Sequence, residues 1–148
     1  MDALHASRLM DTVKRHEGFS STVYTCPAGK ATVGYGRNLV DKGLTEQEAE
    51  WLLVNDLAEA VLAVRDLVPT FVDIDGPRQE ALVNMCYNLG PAGLKRFKKM
   101  LAAVARQDWA AAADEALDSR WRRQVGRRAE EIAAALRHGR WPEQETGL

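Results

Sequence analysis

Apolar positions along the chain change period several times. Leu4, Leu9, Met10 and Val13 lay a loose apolar stripe along a helix predicted from about Asp2 to His16. From Phe19 to Leu39 the helical period is lost. Val23-Tyr24 precedes Pro27-Ala28-Gly29-Lys30, and Val33-Gly34-Tyr35-Gly36 follows, so a Pro/Gly turn joins two β-prone runs in a predicted hairpin. Thr45 and Glu48 form a Thr-x-x-Glu capping box. Behind it Ala49, Leu52, Leu53, Leu57, Ala60, Val61, Val64 and Val68 keep helical spacing until Pro69, long enough to bridge two lobes. Pro77, after Asp75-Gly76, opens a helix that should stop at Gly90-Pro91, with Ala81, Leu82, Met85, Cys86 and Leu89 on its apolar side and Asn84 and Asn88 on another. One further helix is expected from Leu94 to Ala105, one capped by Asp108 from Trp109, and a last one from Arg127 to Arg137 before Gly139. The fold class is α+β and predominantly α, with a small N-terminal β-hairpin.

Composition narrows the classes. The chain has 148 residues, 46% hydrophobic and 28% charged, which suits one ordered domain and excludes a disordered chain. Its formal net charge of −1 names no partner. The charge is unevenly spread: Asp41 to Asp66 holds seven acids and two bases, whereas Lys95 to Arg128 holds ten bases and four acids. The basic stretch fits an anionic polymer or simply a solvated helix face. Two cysteines make no disulfide framework, and Cys86, on an apolar helix side, reads as a core residue. His5 and His138 have no ligand-like neighbours, so no metal and no cofactor is expected, and His16 reads as a packing or solvated side chain. Most of Trp51, Trp109, Trp121 and Trp141 should serve packing. No signal peptide and no membrane-spanning run is visible, so the expected location is a cytoplasm until another protein releases the chain.

The chemistry gathers near the N-terminus. Glu17 closes the first helix, and Gly18 permits a left-handed exit that presents it at the rim. Cys26 and Thr32 fall on opposite arms of the hairpin turn. A helix end packed on that hairpin would group all three. Splitting a glycosidic bond needs one acid for the leaving oxygen and another group to manage water or the anomeric carbon. A partly buried Glu suits the first task, and a Cys or Thr can hold or activate water.

Glu17-Gly18-Phe19, Val23-Tyr24-Thr25-Cys26-Pro27-Ala28-Gly29 and Thr32-Val33-Gly34-Tyr35-Gly36 closely resemble the active-site region of phage-type lysozymes, glycoside hydrolase family 24. The chain is similar to the endolysin branch with Cys where T-even phage lysozymes carry Asp. Asn84-Met85, Leu89-Gly90, Ser119-Arg120-Trp121 and Arg127-Arg128-Ala129-Glu130 extend the resemblance from about residue 8 to about 141. It implies a lysozyme-like two-lobed fold: a hairpin-containing lobe over about 17–44, a linking helix over about 45–68 and a helical lobe over about 69–141, within one domain. It implies a muramidase that hydrolyses peptidoglycan with inversion. Glu17 is then the general acid, Cys26 the base or water-positioning group, and Thr32 a holder of the attacking water. Arg128 would orient Glu17, Asn88 would lie beside the sugars, and Tyr35 and Gly36 would orient or bind substrate. The expected partner is bacterial peptidoglycan, with no nucleic acid, no membrane insertion, a monomeric state and export through a separate holin.

Arg37 departs from the family's usual His, whose role is read as structural. Cys26 also leaves its own part open between base, water holder and nucleophile, since a free thiol with a pKa of about 8.5 is mostly neutral at pH 7. Three rivals remain: a lytic transglycosylase releasing an anhydro sugar, a cysteine hydrolase of the peptide stems with His16 as base, and a non-catalytic wall- or nucleic-acid-binding module.

Overall fold

The computed structural model describes residues 2–143. Helix predominates, with one three-stranded antiparallel sheet, so the α+β class holds. The chain forms two compact units, one ending at Trp51 and the other beginning at Leu52.

The first unit opens with α1 (Ala3–Glu17), capped by Asp2, whose carboxylate accepts the His5 N–H at 2.9 Å. None of its residues is buried, so the Leu4–Val13 stripe is not a core stripe within this unit. The predicted hairpin is β1 (Ser20–Thr25) and β2 (Ala31–Gly34), with Tyr24 opposite Thr32 and an irregularity between Ser20 and Tyr24. The sheet goes one step further than expected. A short β3 (Arg37–Asn38) returns along β2, pairing Thr32 with Asn38 and Val33 with Arg37. Helix α2 (Glu46–Leu67) begins as the capping box predicts: the Glu48 N–H donates to Thr45 Oγ1, and the Thr45 N–H to Glu48 Oε1, each at 3.1 Å.

The helical unit carries the core. A 3-10 turn (Phe71–Asp73) leads into α3 (Gly76–Lys95), where Asp75 accepts the Arg78 N–H. The expected stop is a break inside this element: Gly90, at φ 76° and ψ 164°, leaves the helical conformation, and Pro91 starts a final short stretch. The helix expected from Leu94 to Ala105 is corrected. The chain turns out of helix at Phe97 (ψ 57°), and α4 covers only Lys98–Ala105. Phe97 packs edge-on against Trp121 with centroids 6.1 Å apart, a tertiary contact that helical periodicity does not encode. Helix α5 (Trp109–Leu117) is capped by Asp108 as predicted; a short α6 (Arg120–Val125), capped by Ser119, was not; α7 (Arg127–His138) ends at Gly139.

The core joins Val64, Leu82, Met85, Leu94, Met100, Val104, Ile132 and Leu136, all at most 1% exposed. Burying each such large side chain contributes about 1.5–3 kcal/mol. Ala112, Ala113 and Ala116 of α5 and Ala129, Ala133 and Ala135 of α7 are buried where these helices pack, and their small side chains allow close approach. Cys86 is buried as expected. Trp121 is buried, Trp109 lies under the Arg78 guanidinium, and the Trp141 indole donates to Glu80 at 2.6 Å; Trp51 is exposed.

Candidate active site

The first unit shapes the end of α1. The Gly18 N–H returns to the Lys14 carbonyl at 2.9 Å while its φ of 70° turns the chain away, which leaves Glu17 at the helix rim. The Glu17 carboxylate lies directly against Gly36, in the turn between β2 and β3. A Cβ built on Gly36 would sit 2.5 Å from Glu17 Oε2 and 3.0 Å from its Cδ. Only glycine leaves room there, and its φ of 77° favours glycine as well. Tyr35 stands beside this contact with Phe19 at 5.5 Å between ring centroids and the Lys14 ammonium 5.4 Å from its ring. Glu17 is exposed within the described chain, so the partial burial that an acid role calls for is not built into the helix rim.

Cys26 and Thr32 are brought together at the other end of the sheet. Tyr24 faces Thr32 across the ladder, and Cys26, two residues beyond Tyr24, opens the turn on the same side. The turn is closed by the Cys26 N–H on the Lys30 carbonyl at 2.9 Å and the Gly29 N–H on the Cys26 carbonyl at 2.8 Å. The half-buried Cys26 thiol is held below its ordinary value of 9.0. The backbone N–H of Lys30 contributes most, then that of Ala28, and burial opposes them. Burial pushes the Cys86 thiol the other way. Thr32 is only 2% exposed, the one buried polar side chain among the described residues, and its hydroxyl donates to the Lys30 carbonyl at 2.9 Å.

Arg128 and Asn88 belong to the helical unit, where each has a partner. Arg128 donates from Nε to Asn84 Oδ1 at 2.9 Å and from Nη2 to the Asn84 carbonyl at 3.3 Å. Asn88 Oδ1 accepts the Trp121 indole N–H at 2.7 Å. Asn84 was visible as a face-mate of Asn88, but nothing in the helical spacing paired it with a residue 44 positions later. Sequence reasoning also missed the partners of Arg37. Its guanidinium donates to the Gly43 carbonyl at 3.0 and 3.1 Å and to Glu48 Oε1 at 2.8 Å, tying β3 to the start of α2. Among the described residues no group of three or more His, Cys, Asp or Glu side chains could hold a metal ion, and no helix is long and apolar enough to cross a membrane.

A helix-end glutamate on a glycine turn, beside a small antiparallel sheet and ahead of a helical unit, has clear relatives. The family model described as "Phage lysozyme" matches residues 14–140, from before Glu17 to beyond α7. The chain is 25% identical over 162 aligned positions to "Probable T4-type lysozyme 2" of Dictyostelium discoideum, covering 90% of this chain and 95% of that protein. It is 24% identical to the "Pre-baseplate central spike protein Gp5" of Enterobacteria phage T4, over 88% of this chain but 28% of that longer protein. It is 30% identical over 81 positions to an "Endolysin" of Acyrthosiphon pisum secondary endosymbiont phage 1, covering 53% and 54% of the two chains. Fold and family match define a lysozyme-type enzyme, a hydrolase of peptidoglycan. The chain belongs to the phage lysozyme family.

Proposed function

We propose that this chain is a muramidase that hydrolyses the β-1,4 bond between N-acetylmuramic acid and N-acetylglucosamine, with inversion, as an endolysin. The observation that carries the reading is the seating of the Glu17 carboxylate on Gly36 in the same compact unit as Cys26 and Thr32, which share the Lys30 carbonyl. Glu17 protonates the departing glycosidic oxygen, and a bound glycan strand supplies the exclusion of water that the exposed helix rim lacks. Cys26 and Thr32 manage the attacking water. The thiolate is the acceptor for the water's proton, and the Thr32 hydroxyl fixes the water's orientation. An oxygen nucleophile on the face opposite the leaving group inverts the anomeric centre.

By the family pattern, Arg128 orients the catalytic carboxylate, and its grip on Asn84 fixes the guanidinium for that task. Asn88 lies beside the sugars and Tyr35 borders them. The same pattern divides the chain into a hairpin lobe over about 17–44, a linking helix over about 45–68 and a helical lobe over about 69–141. The enzyme acts as a monomer on peptidoglycan, without nucleic acid or membrane insertion, after a separate holin releases it from the host cytoplasm.

The test is mass spectrometry of the fragments released from purified peptidoglycan, with Glu17→Gln alongside. Reducing N-acetylmuramic acid ends that disappear with the variant are the expected result. Anhydro ends would make the chain a lytic transglycosylase, and intact glycan strands would overturn the glycosidase reading.

A further inference from the structure

The Cys26 turn is linked to the far side of the sheet by a run of hydrogen bonds that a strand-register pair brings back to its start. Lys30 takes part three times. Its carbonyl accepts both the Cys26 N–H and the Thr32 hydroxyl, each at 2.9 Å. Its own N–H is the leading influence that lowers the Cys26 thiol. Its ammonium is gripped by both oxygens of Asp41, at 2.6 and 2.7 Å. Asp41 is in turn fixed by Asn38. The Val40 and Asp41 N–H groups donate to Asn38 Oδ1 at 3.0 Å, and Asn38 Nδ2 donates to Asp41 Oδ2 at 3.1 Å. Asn38 is the register partner of Thr32, which returns the circuit to its start.

We infer that Asp41, acting through Lys30, is a positioning residue for the Cys26–Thr32 pair: it holds the turn so that the Lys30 carbonyl keeps both the Cys26 N–H and the Thr32 hydroxyl in place. The inference rests on the proposed role of Cys26 in handling water. The Lys30 and Asp41 side chains are 39% and 55% exposed, and an exposed ion pair adds little to global stability. Holding a lysine side chain in one geometry also costs rotamer entropy. What the pair does accomplish is local. It restrains the residue whose carbonyl and N–H both serve the Cys26 turn.

A rival explanation is that Asp41 and Lys30 act on the thiol by charge alone. The other charged groups on the surrounding elements are Arg37 and Glu48, which pair with each other, Lys42, and Glu17 beside Gly36. The leading influences that lower the thiol are the backbone N–H groups of Lys30 and Ala28. The two explanations therefore differ in sign. If charge rules, Asp41→Ala removes a neighbouring anion and lowers the midpoint for ionising Cys26, whereas Lys30→Met removes a cation and raises it. If positioning rules, both variants slacken the turn and both raise the midpoint.

The measurement is the pH dependence of Cys26 alkylation by iodoacetamide in the intact protein, followed by peptide mass spectrometry and paired with kcat and KM on peptidoglycan. Positioning predicts that the midpoint rises toward 9.0 in both variants. It also predicts that kcat falls about two- to fivefold, the scale an exposed pair commands, with KM unchanged. Lys30→Arg, which keeps a cation for Asp41 to grip, retains the native midpoint. A midpoint that falls or stays put in Asp41→Ala overturns the inference. Alkylation needs no turnover, so the result stands whether or not the glycosidase reading survives.

Discussion

Replacing Gly36 by alanine separates two costs. A Cβ at that position would lie 2.5 Å from Glu17 Oε2, where ordinary contact begins near 3.4 Å. The carboxylate must therefore retreat by about 0.9 Å, and a misplacement of about 1 Å in a catalytic group can cost on the order of a hundredfold in rate. The obstacle is the far end of a flexible side chain, so Glu17 moves while the fold stays. The backbone cost is separate. An alanine held at φ 77° is left-handed, which costs about 1–2 kcal/mol. For a chain of this size that lowers the melting temperature by roughly 2–8 °C.

Gly34 supplies the control. Its φ is 69°, and a Cβ there meets nothing within 4 Å. Gly34→Ala should show a comparable loss of melting temperature and nearly full kcat, whereas Gly36→Ala should lose about a hundredfold in kcat. The assay is release of reducing ends from purified peptidoglycan at saturating substrate, with thermal melts of both variants. Equal loss of activity in the two would refute the reasoning, because the decline would then follow backbone strain and not the displacement of Glu17.

Three other perturbations follow from the same geometry. At neutral pH, Cys26 should react with a thiol reagent well before Cys86, which is buried with its ionisation suppressed; labelling of both at similar rates would contradict the opposite directions in which the two thiols are held. Glu48 is held below its ordinary 4.5, chiefly by the Thr45 N–H, then by the Thr45 hydroxyl and Arg37. Its contribution to stability is therefore complete above pH 4.5 and fades as pH falls through the lower folded value. Glu48→Gln should flatten the acid side of a melting-temperature profile, and an unchanged profile would argue against the capping network. Arg78 donates to the Leu136 and Arg137 carbonyls at 2.7 and 3.0 Å and lies over Trp109, so Arg78→Ala should lower unfolding free energy by about 2–3 kcal/mol in urea titrations; a loss below about 0.5 kcal/mol would show that these bonds contribute little.

Local signals were legible in the sequence, and tertiary ones were not. Thr45 with Glu48, Asp108 before Trp109, and Gly90-Pro91 each act on backbone groups within a few residues, and each acts in the structure as its type predicts. The end of α1 was readable because Gly18 stands next to Glu17. Two features escaped because their causes lie elsewhere in the chain. At the split Phe97 packs against Trp121, and the third strand carries Arg37, which reaches Gly43 and Glu48. Helix α6 escaped for another reason: at six residues it is too short to show a period, and only the Ser119 cap announces it. At the site, Glu17, Cys26 and Thr32 could be picked out by spacing, but the circuit through Lys30, Asp41 and Asn38 is written in side-chain geometry across the sheet.

The turn sequence makes sense of a thiol at this position. A carboxylate there would ionise near pH 4 without help and needs no special surroundings to accept a proton at neutral pH. A thiol starts several units higher, so its usefulness depends on what solvates the anion. In Cys26-Pro27-Ala28-Gly29-Lys30 the proline withholds its own donor, and the glycine lets the chain double back. The turn closes through the Cys26 and Gly29 N–H groups, and the N–H groups of Lys30 and Ala28 hold the thiol below its ordinary value. The donors are backbone atoms, so their aim is only as good as the rigidity of the turn. That dependence assigns work to side chains that never touch the sulphur. Arg37 serves the neighbouring strand in the same manner: by joining Gly43 and Glu48 it fixes β3, and with β3 it fixes Asn38, the partner of Thr32. Arg37 thus belongs to the support of the turn.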